Sequence, residues 1–150
     1  MSPAPFDSYI AAIKNSIGSN LFRNYFMPVN GKEEDILKDG ELSCARFVSS
    51  ILKIFSLIKE THATVDGTVK DLENSGWVRI EEPRIGSIIL WGFADNDGRG
   101  PHKHLGFYVG DHTAISNSSK LKTPVEHDWM FGEENRKIEA IYWNRELEIK

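Results

Sequence analysis

The clearest pattern of apolar and polar positions in the chain begins at Cys44. From that residue onward, apolar side chains recur at the spacing of one buried stripe of a helix. They are Phe47, Val48, Ile51, Leu52, Phe55 and Ile58, with Ile54 and Leu57 widening the stripe. Gly40 interrupts the preceding segment and Ser43 is a favourable N-cap residue. The pattern therefore predicts a central helix with Cys44 in its first turn.

Two weaker patterns lie on the N-terminal side of this helix. Residues 6–17 have apolar positions at helical spacing after Asp7 or Ser8, either of which can cap an amphipathic helix. Asn30 is followed by glycine, which is a turn signal. The charged residues over 32–39 are then predicted to form a solvated face.

Short strands are predicted after the central helix. Thr64 or Asp66 can cap a short helix that runs through Leu72, and alternating residues follow it. The predicted strands cover residues 77–80, 87–91, 104–110, 113–117 and 137–143, with a tight hairpin turn over 110–113. The chain thus has the pattern of an α+β protein with an antiparallel sheet of about five strands.

The segment between the second and third of these strands resembles a calcium-binding loop at first sight. It runs Asp-Asn-Asp-Gly-Arg-Gly-Pro over residues 95–101. Arg99 occupies the fifth position, and Gly106 occupies the twelfth, where a bidentate glutamate is needed. We therefore predict a polar loop beside the cleft rather than a calcium site.

The position of Cys44 indicates a reactive thiol. Unpaired backbone N–H groups and the positive end of the helix dipole favour the thiolate at a helix start. The alternative is a cysteine that only fills the core, because free cysteine is among the most buried residue types. His104, at the start of a later strand, favours the reactive interpretation, since a cysteine opening a helix and a histidine opening a later strand is the order of papain-like cysteine hydrolases.

Three segments carry a more specific resemblance. They are Ser-Cys-Ala-Arg-Phe-Val over 43–48, Pro-Arg-Ile-Gly-Ser-Ile-Ile-Leu-Trp over 83–91, and His-Leu-Gly-Phe-Tyr-Val-Gly over 104–110. In this order they resemble the NlpC-type cell-wall cysteine peptidases, to which the CHAP-type amidases are related. The family commonly has Asp-Cys-Ser-Gly-Phe-Val at the nucleophile, so this chain keeps the cysteine and the Phe-Val but not the Asp, Ser and Gly.

The resemblance implies a papain-like fold, with N-terminal helices and a nucleophile-bearing helix packed on the sheet. It also implies a cysteine-dependent amide hydrolase acting on peptidoglycan stem peptides or cross-links. His104 would accept the proton of Cys44 and later protonate the leaving amine, and the backbone N–H of Cys44 would help to form the oxyanion hole. Gly106, two residues beyond His104 on the same strand face, would leave room for the cysteine-bearing helix.

A third site residue would orient His104 by accepting its other ring N–H. The resemblance places a polar residue about twelve positions further on, which corresponds to Ser116. A two-residue hairpin turn would instead put Asn117 opposite Gly106, on the face of His104. A bulge would exchange the two roles. We predict Asn117, because an amide oxygen is the less ambiguous acceptor, with Ser116 as the alternative.

Composition and charge limit the other possibilities. The chain has 150 residues, 40% hydrophobic and 27% charged, which predicts one globular domain over 1–150. A net charge of −4 disfavours a nucleic-acid partner or an anionic membrane surface. The single cysteine excludes an internal disulfide. No signal peptide and no apolar span is recognisable, which predicts a protein that is cytoplasmic as synthesised and is not inserted into a membrane. If its substrate is the cell wall, we expect delivery by a non-classical route.

Several alternatives stay open at this stage. His102 and His104 could share a strand face as a His-x-His metal site, although we predict neither a metal nor a cofactor. An intracellular thiol acyltransferase or deamidase would use the same Cys44 and His104. A binding module that kept the fold without the chemistry is a third possibility, suggested by the altered residues around Cys44. The pattern leaves the oligomeric state open.

Overall fold

The computed structural model describes residues 5–94 and 100–148. Over these ranges the chain has helices α1 (Pro5–Asn15), α2 (Cys44–Ile54) and α3 (Val65–Asn74). Its strands are β1 (Phe26–Val29), β2 (Lys32–Asp35), β3 (Trp77–Ile80), β4 (Ile88–Ala94), β5 (His102–Gly110), β6 (Thr113–Asn117), β7 (Pro124–Asp128) and β8 (Ile138–Asn144). Short 3-10 helices cover Gly132–Glu134 and Arg145–Glu148. The predicted α+β class is confirmed.

The main sheet is antiparallel and has six strands in the order β3-β8-β4-β5-β6-β7, while β1 and β2 form a separate two-stranded hairpin. The prediction of about five strands missed β7. That strand has the sequence Pro-Val-Glu-His-Asp. It begins with a proline, and three of its five residues are charged or polar, so it has few of the β-branched and aromatic residues that usually indicate a strand. It pairs with β6 at the edge of the sheet, where such residues are tolerated.

The two faces of the sheet bury different clusters. Helix α2 packs on one face, where Phe47 lies 5.4 Å from Phe107 between ring centroids. The opposite face buries a smaller cluster around Trp91, which Phe131 and other aromatic side chains cover. Strand β5 lies inside the sheet and contributes to both faces, because neighbouring residues of a strand point in opposite directions. His104 therefore shares the face of Trp91, while Leu105 faces the helices.

Helix starts differ in detail from their predictions. Thr64 caps α3 by accepting a hydrogen bond from the backbone N–H of Gly67, as predicted. Helix α1 begins at Pro5, before the predicted caps Asp7 and Ser8, because proline is well suited to a first helical turn. Ser43 precedes α2, but within the described ranges its side chain makes no capping bond, and its ψ angle of 7° is not the extended conformation of a capping serine.

The hairpin between β5 and β6 corrects the predicted register. Asp111 and His112 form the two-residue turn, both with positive φ, and Gly110 pairs with Thr113 as expected. The pairing then shifts, because β5 has one extra residue, Val109, before Tyr108 pairs with Ala114. This bulge moves every earlier pair by one position.

Most of the calcium-like segment, residues 95–99, lies outside the described ranges. The polar loop there stays a prediction. Among the helices of the described residues, none has the length and apolar character needed to cross a bilayer.

A substitution at Gly106 tests the close approach of β5 and β6. A Cβ atom there would lie 2.7 Å from Cβ of Ser116 and 2.9 Å from the backbone oxygen of Ile115. We expect Gly106→Ala to lower the free energy of unfolding by about 1–3 kcal/mol, measured by urea denaturation. Gly92→Ala on β4 is the matched control, because its nearest neighbour would be 3.7 Å away, and it should change stability by less than about 1 kcal/mol. Equal effects of the two substitutions would contradict this packing.

Candidate active site

A cavity of about 420 Å³ opens where the start of α2 meets strands β5, β6 and β7. Its wall includes Cys44, His104, Ser116, His127 and Arg136. The structure thus brings the predicted nucleophile and the predicted base to one cavity, although sixty positions separate them in the sequence.

Cys44 is the first residue of α2 and is half-buried. The backbone N–H of Leu105 donates a hydrogen bond to its sulfur, and the backbone N–H groups of Ala45 and of Cys44 itself also lie at the thiol. Since Leu105 directly follows His104 in β5, the thiol lies beside the strand that carries the histidine. The N-terminal N–H groups of the helix point towards the sulfur, as expected for a helix start.

The acidity of the thiol differs from the sequence-based expectation. Burial raises the pKa of Cys44 above its ordinary value, although the N–H groups of Leu105 and Ala45 and the charge of Arg136 lower it. Desolvation therefore outweighs the helix start, and the resting thiol is protonated at neutral pH. A thiolate would then have to form by proton transfer to a neighbouring base. The reactivity of Cys44 therefore depends more strongly on the histidine than it would if the thiolate were already present at rest.

His104 is held by aromatic contacts and by a polar contact with Ser116. Its ring lies 5.4 Å from Trp91 and 5.9 Å from Phe131 between centroids. Its Nε2 atom is 2.9 Å from Oγ of Ser116. Trp91 and His104 are also cross-strand partners between β4 and β5, so the sheet itself sets the position of the imidazole.

Ser116 makes the contact that was predicted for Asn117. Continuing the shifted register puts Ser116 opposite Gly106, so its side chain lies on the face of His104. The amide Nδ2 of Asn117 instead donates a hydrogen bond of 2.8 Å to the backbone oxygen of Gly40. The prediction that Asn117 contacts His104 is therefore wrong, and the bulge at Val109 is the physical reason.

Asn117 has a structural role in its observed position. It is almost fully buried and ties β6 to the segment that leads into α2. Gly40 has a φ of +96° in that segment, and a Cβ atom there would lie 2.7 Å from Lys122. This close approach and the amide contact together fix the chain just before Cys44.

The space at Gly106 also serves a different purpose from the predicted one. A Cβ atom would lie 3.0 Å from Cζ3 of Trp91, in addition to its contact with Ser116. The glycine therefore lets Ser116 and Trp91 approach the strand, rather than the cysteine-bearing helix. The correction follows from the face on which Gly106 lies.

Two residues of the site were missed from the sequence. The first is His127, which places Nε2 at 2.6 Å from Oγ of Ser116. Arg136, a buried residue, donates from Nη2 to the backbone oxygens of His102 and Gly92. The His127-Asp128 pair at the end of a short alternating segment was a weak signal for the first, and no pattern marked Arg136.

His102, the other member of the possible His-x-His pair, is the first residue of β5. The Nδ1 atom of His102 lies 3.0 Å from the backbone oxygen of Gly100. Within 5–94 and 100–148, no group of three or more His, Cys, Asp or Glu side chains is arranged to hold a metal ion. His62 lies elsewhere and pairs with Asp71 at 2.6 Å.

Comparison with known proteins supports the fold. No protein-family model matches the chain, and no curated protein matches it. Among solved structures, NlpC2 from Trichomonas vaginalis is similar, with 18% sequence identity and a TM-score of 0.52. The similarity covers 95% of this chain and 49% of that chain, so this chain spans about half the length of the matched structure. At this identity the likeness concerns the fold, which is NlpC-like.

The first prediction from the site concerns the pH dependence of thiol reactivity. We expect iodoacetamide to alkylate Cys44 at a lower pH in the wild type than in His104→Ala, because the variant has lost the proton acceptor. In the variant the midpoint should lie above the ordinary cysteine value of about 8.5, since burial still raises the pKa of Cys44. His62→Ala, outside the cavity, is the control. Coincident pH profiles for the wild type and His104→Ala would contradict the role of His104 as proton acceptor for Cys44.

The second prediction separates Ser116 from Asn117. Ser116→Ala should slow alkylation of Cys44 at neutral pH by roughly tenfold with little loss of stability, because His104 loses an orienting contact. Asn117→Ala should leave a buried backbone oxygen without its donor and lower the free energy of unfolding by about 1–3 kcal/mol. Alkylation kinetics and urea denaturation of both variants measure this. A large kinetic loss in Asn117→Ala with unchanged Ser116→Ala kinetics would contradict the assignment.

Proposed function

We propose that the protein is a cysteine-dependent amide hydrolase with Cys44 as nucleophile and His104 as general base and acid. The observation that carries the proposal is the placement of Cys44 at the first turn of α2, in one cavity with His104 and beside the N–H of the next residue in β5. A helix-borne cysteine and a strand-borne histidine that converge on a cavity are the elements of nucleophilic acyl transfer. The NlpC-like fold supports the same class of reaction.

The chemistry would begin with transfer of the Cys44 proton to His104. The sulfur would attack the carbonyl carbon of the amide, the electron pair of the carbonyl π bond would move to the oxygen, and the N–H of Cys44 would help to stabilise the oxyanion. His104 then gives its proton to the amide nitrogen as the carbon–nitrogen bond breaks, which releases an amine and leaves a thioester. Water, losing a proton to His104, attacks the thioester and releases the acid, and the proton returns to the sulfur.

Ser116 would be the third member of the site. Its hydroxyl is within hydrogen-bond distance of Nε2 of His104, so it can hold the ring and accept the N–H of the imidazolium that forms in the first step. Arg136 would help in that step too, because its positive charge lowers the cost of forming the Cys44 thiolate.

For the substrate we propose peptidoglycan stem peptides or cross-links. The cavity has the size of a small-molecule or peptide-side-chain pocket. Its wall combines apolar residues such as Leu42 and Val125 with charged residues such as Glu41 and Lys103. A mixed wall of this kind fits a short peptide that carries both methyl groups and charged ends.

Incubation with purified peptidoglycan tests the proposal. Mass spectrometry of the soluble fraction should show fragments with a new amine and a new carboxyl group, and one 18O atom should enter the carboxyl group in labelled water. We expect Cys44→Ala to lower the rate by about 10⁴-fold or more. Release of fragments by Cys44→Ala at the wild-type rate would contradict the assignment of the nucleophile.

The same experiment distinguishes the two alternatives. An acyltransferase or deamidase passes through the same thioester, so added amine acceptors would appear in the product in place of 18O, or ammonia would be released from a side-chain amide. A binding module would retain peptidoglycan without releasing fragments. Either outcome would replace the hydrolase proposal.

A further inference from the structure

The Ser116 hydroxyl lies between two imidazole rings. Its Oγ atom is 2.9 Å from Nε2 of His104 and 2.6 Å from Nε2 of His127. A hydroxyl group has a single proton to donate, so it can be the donor to only one of these nitrogens. The direction of the two hydrogen bonds therefore depends on which histidine nitrogen already carries a proton.

The environment of His127 settles that direction. Its Nδ1 atom is 2.8 Å from the backbone oxygen of Asp128, and a carbonyl oxygen can only accept, so Nδ1 carries the proton. Burial lowers the pKa of His127, which keeps the ring neutral near pH 7, although the carbonyl and the carboxylate of Asp128 act in the opposite direction. A neutral ring with its proton on Nδ1 has a lone pair on Nε2. Ser116 must then donate its proton to His127.

This direction determines the tautomer of His104. With its own proton directed at His127, Ser116 presents only lone pairs to His104, so Nε2 of His104 must be the protonated nitrogen. A neutral imidazole has one N–H, and its lone pair is then on Nδ1. Nδ1 is thereby the nitrogen that can accept a proton. When His104 becomes an imidazolium, its Nε2–H keeps the same acceptor.

The position of the His127 ring is itself fixed by packing. The ring stacks on Phe131 with centroids 4.3 Å apart and an interplanar angle of 20°, and it lies 5.6 Å from Trp91. The Trp91 indole donates a hydrogen bond to the backbone oxygen of Trp129, which ties down the segment that leads to Phe131. The ring of His127 therefore has little freedom to turn its Nε2 atom away from Ser116.

We propose that His127 is a positioning residue that acts through Ser116 to hold His104 in the tautomer whose basic nitrogen is Nδ1. Its relevance to catalysis rests on the proposed function, in which His104 is the base. Without an acceptor at residue 127, the Ser116 hydroxyl could rotate and donate to Nε2 of His104. The proton of His104 would then lie on Nδ1 in part of the molecules, and in those molecules Nδ1 could not accept the proton of Cys44.

Two substitutions separate the acceptor of His127 from its packing. His127→Phe keeps an aromatic ring against Phe131 but has no acceptor for the Ser116 hydroxyl. His127→Gln removes the ring, but its amide oxygen can accept from that hydroxyl. Packing alone predicts that the phenylalanine variant is the milder change, whereas the proposal predicts that glutamine is.

The primary measurement is the tautomer of each histidine, from the ring 15N chemical shifts of the labelled full chain at neutral pH. In the wild type we expect His104 protonated at Nε2 and His127 protonated at Nδ1. His127→Phe should shift His104 towards the Nδ1–H form, and His127→Gln should restore the wild-type form. His104 protonated at Nδ1 in the wild type, or unchanged in His127→Phe, would overturn the proposal, and the wild-type arm gives this answer even if a variant fails to fold.

The second measurement tests whether the effect passes through Ser116. Alkylation of Cys44 at neutral pH should slow by about tenfold in His127→Phe and return to within about twofold of wild type in His127→Gln, a smaller effect than the roughly 10²–10⁴-fold of a general base itself. In a Ser116→Ala background, His127→Phe should have no further effect. Additive losses would contradict the proposed path.

These measurements need no amide substrate, so they are independent of the hydrolysis assay. The predicted tautomers together with absent peptidoglycan cleavage would reject the proposed function and keep the His127 assignment. Cleavage with an unchanged tautomer in His127→Phe would do the reverse.

Discussion

The register between β5 and β6 is the constraint on which the candidate site depends. The extra residue Val109 in β5 shifts the pairing by one position, and this shift places Ser116 rather than Asn117 on the face of His104. Gly106 makes the arrangement possible, because any larger residue would collide with Cβ of Ser116. A change of register by one residue would turn both side chains to the opposite faces of the sheet. One bulge thus decides which group touches the histidine and which one anchors the loop before Cys44.

Burial affects two titratable groups of the site, Cys44 and His127, in related ways. It raises the pKa of the Cys44 thiol and lowers the pKa of His127, so both groups are neutral near pH 7. Contacts between neutral groups depend on the direction of their hydrogen bonds rather than on fixed charges. The charge of Arg136 acts on the thiol, and its hydrogen bonds to the backbone oxygens of Gly92 and His102 hold the guanidinium in the wall of the cavity. The arrangement suits a nucleophile that is charged only while it reacts.

The face of the sheet opposite the helices supplies most of the site. Trp91, His104, Ser116 and His127 lie there, and Phe131 covers them. Helix α2 packs on the other face and contributes mainly its first residue. The thiol accepts a hydrogen bond from the backbone N–H of Leu105, and Cys44 and His104 line the same cavity. The helix therefore provides the nucleophile, while the sheet provides the groups that would act on its proton.

The sequence by itself determined the helix that begins at Cys44, the strand that carries His104, and the two-residue turn after Gly110, because helical spacing, alternation and turn residues are local signals. It also indicated the α+β class and the NlpC-like order of elements. Tertiary structure alone decided the rest. The bulge at Val109 has no local sequence signal, so the sequence could not place Ser116 beside His104. The sequence of β7 is typical of a loop and its strand depends on pairing with β6, so His127 could not be placed there either. Burial, which outweighs the helix start in setting the pKa of Cys44, is a sum over distant contacts that no short stretch of sequence contains.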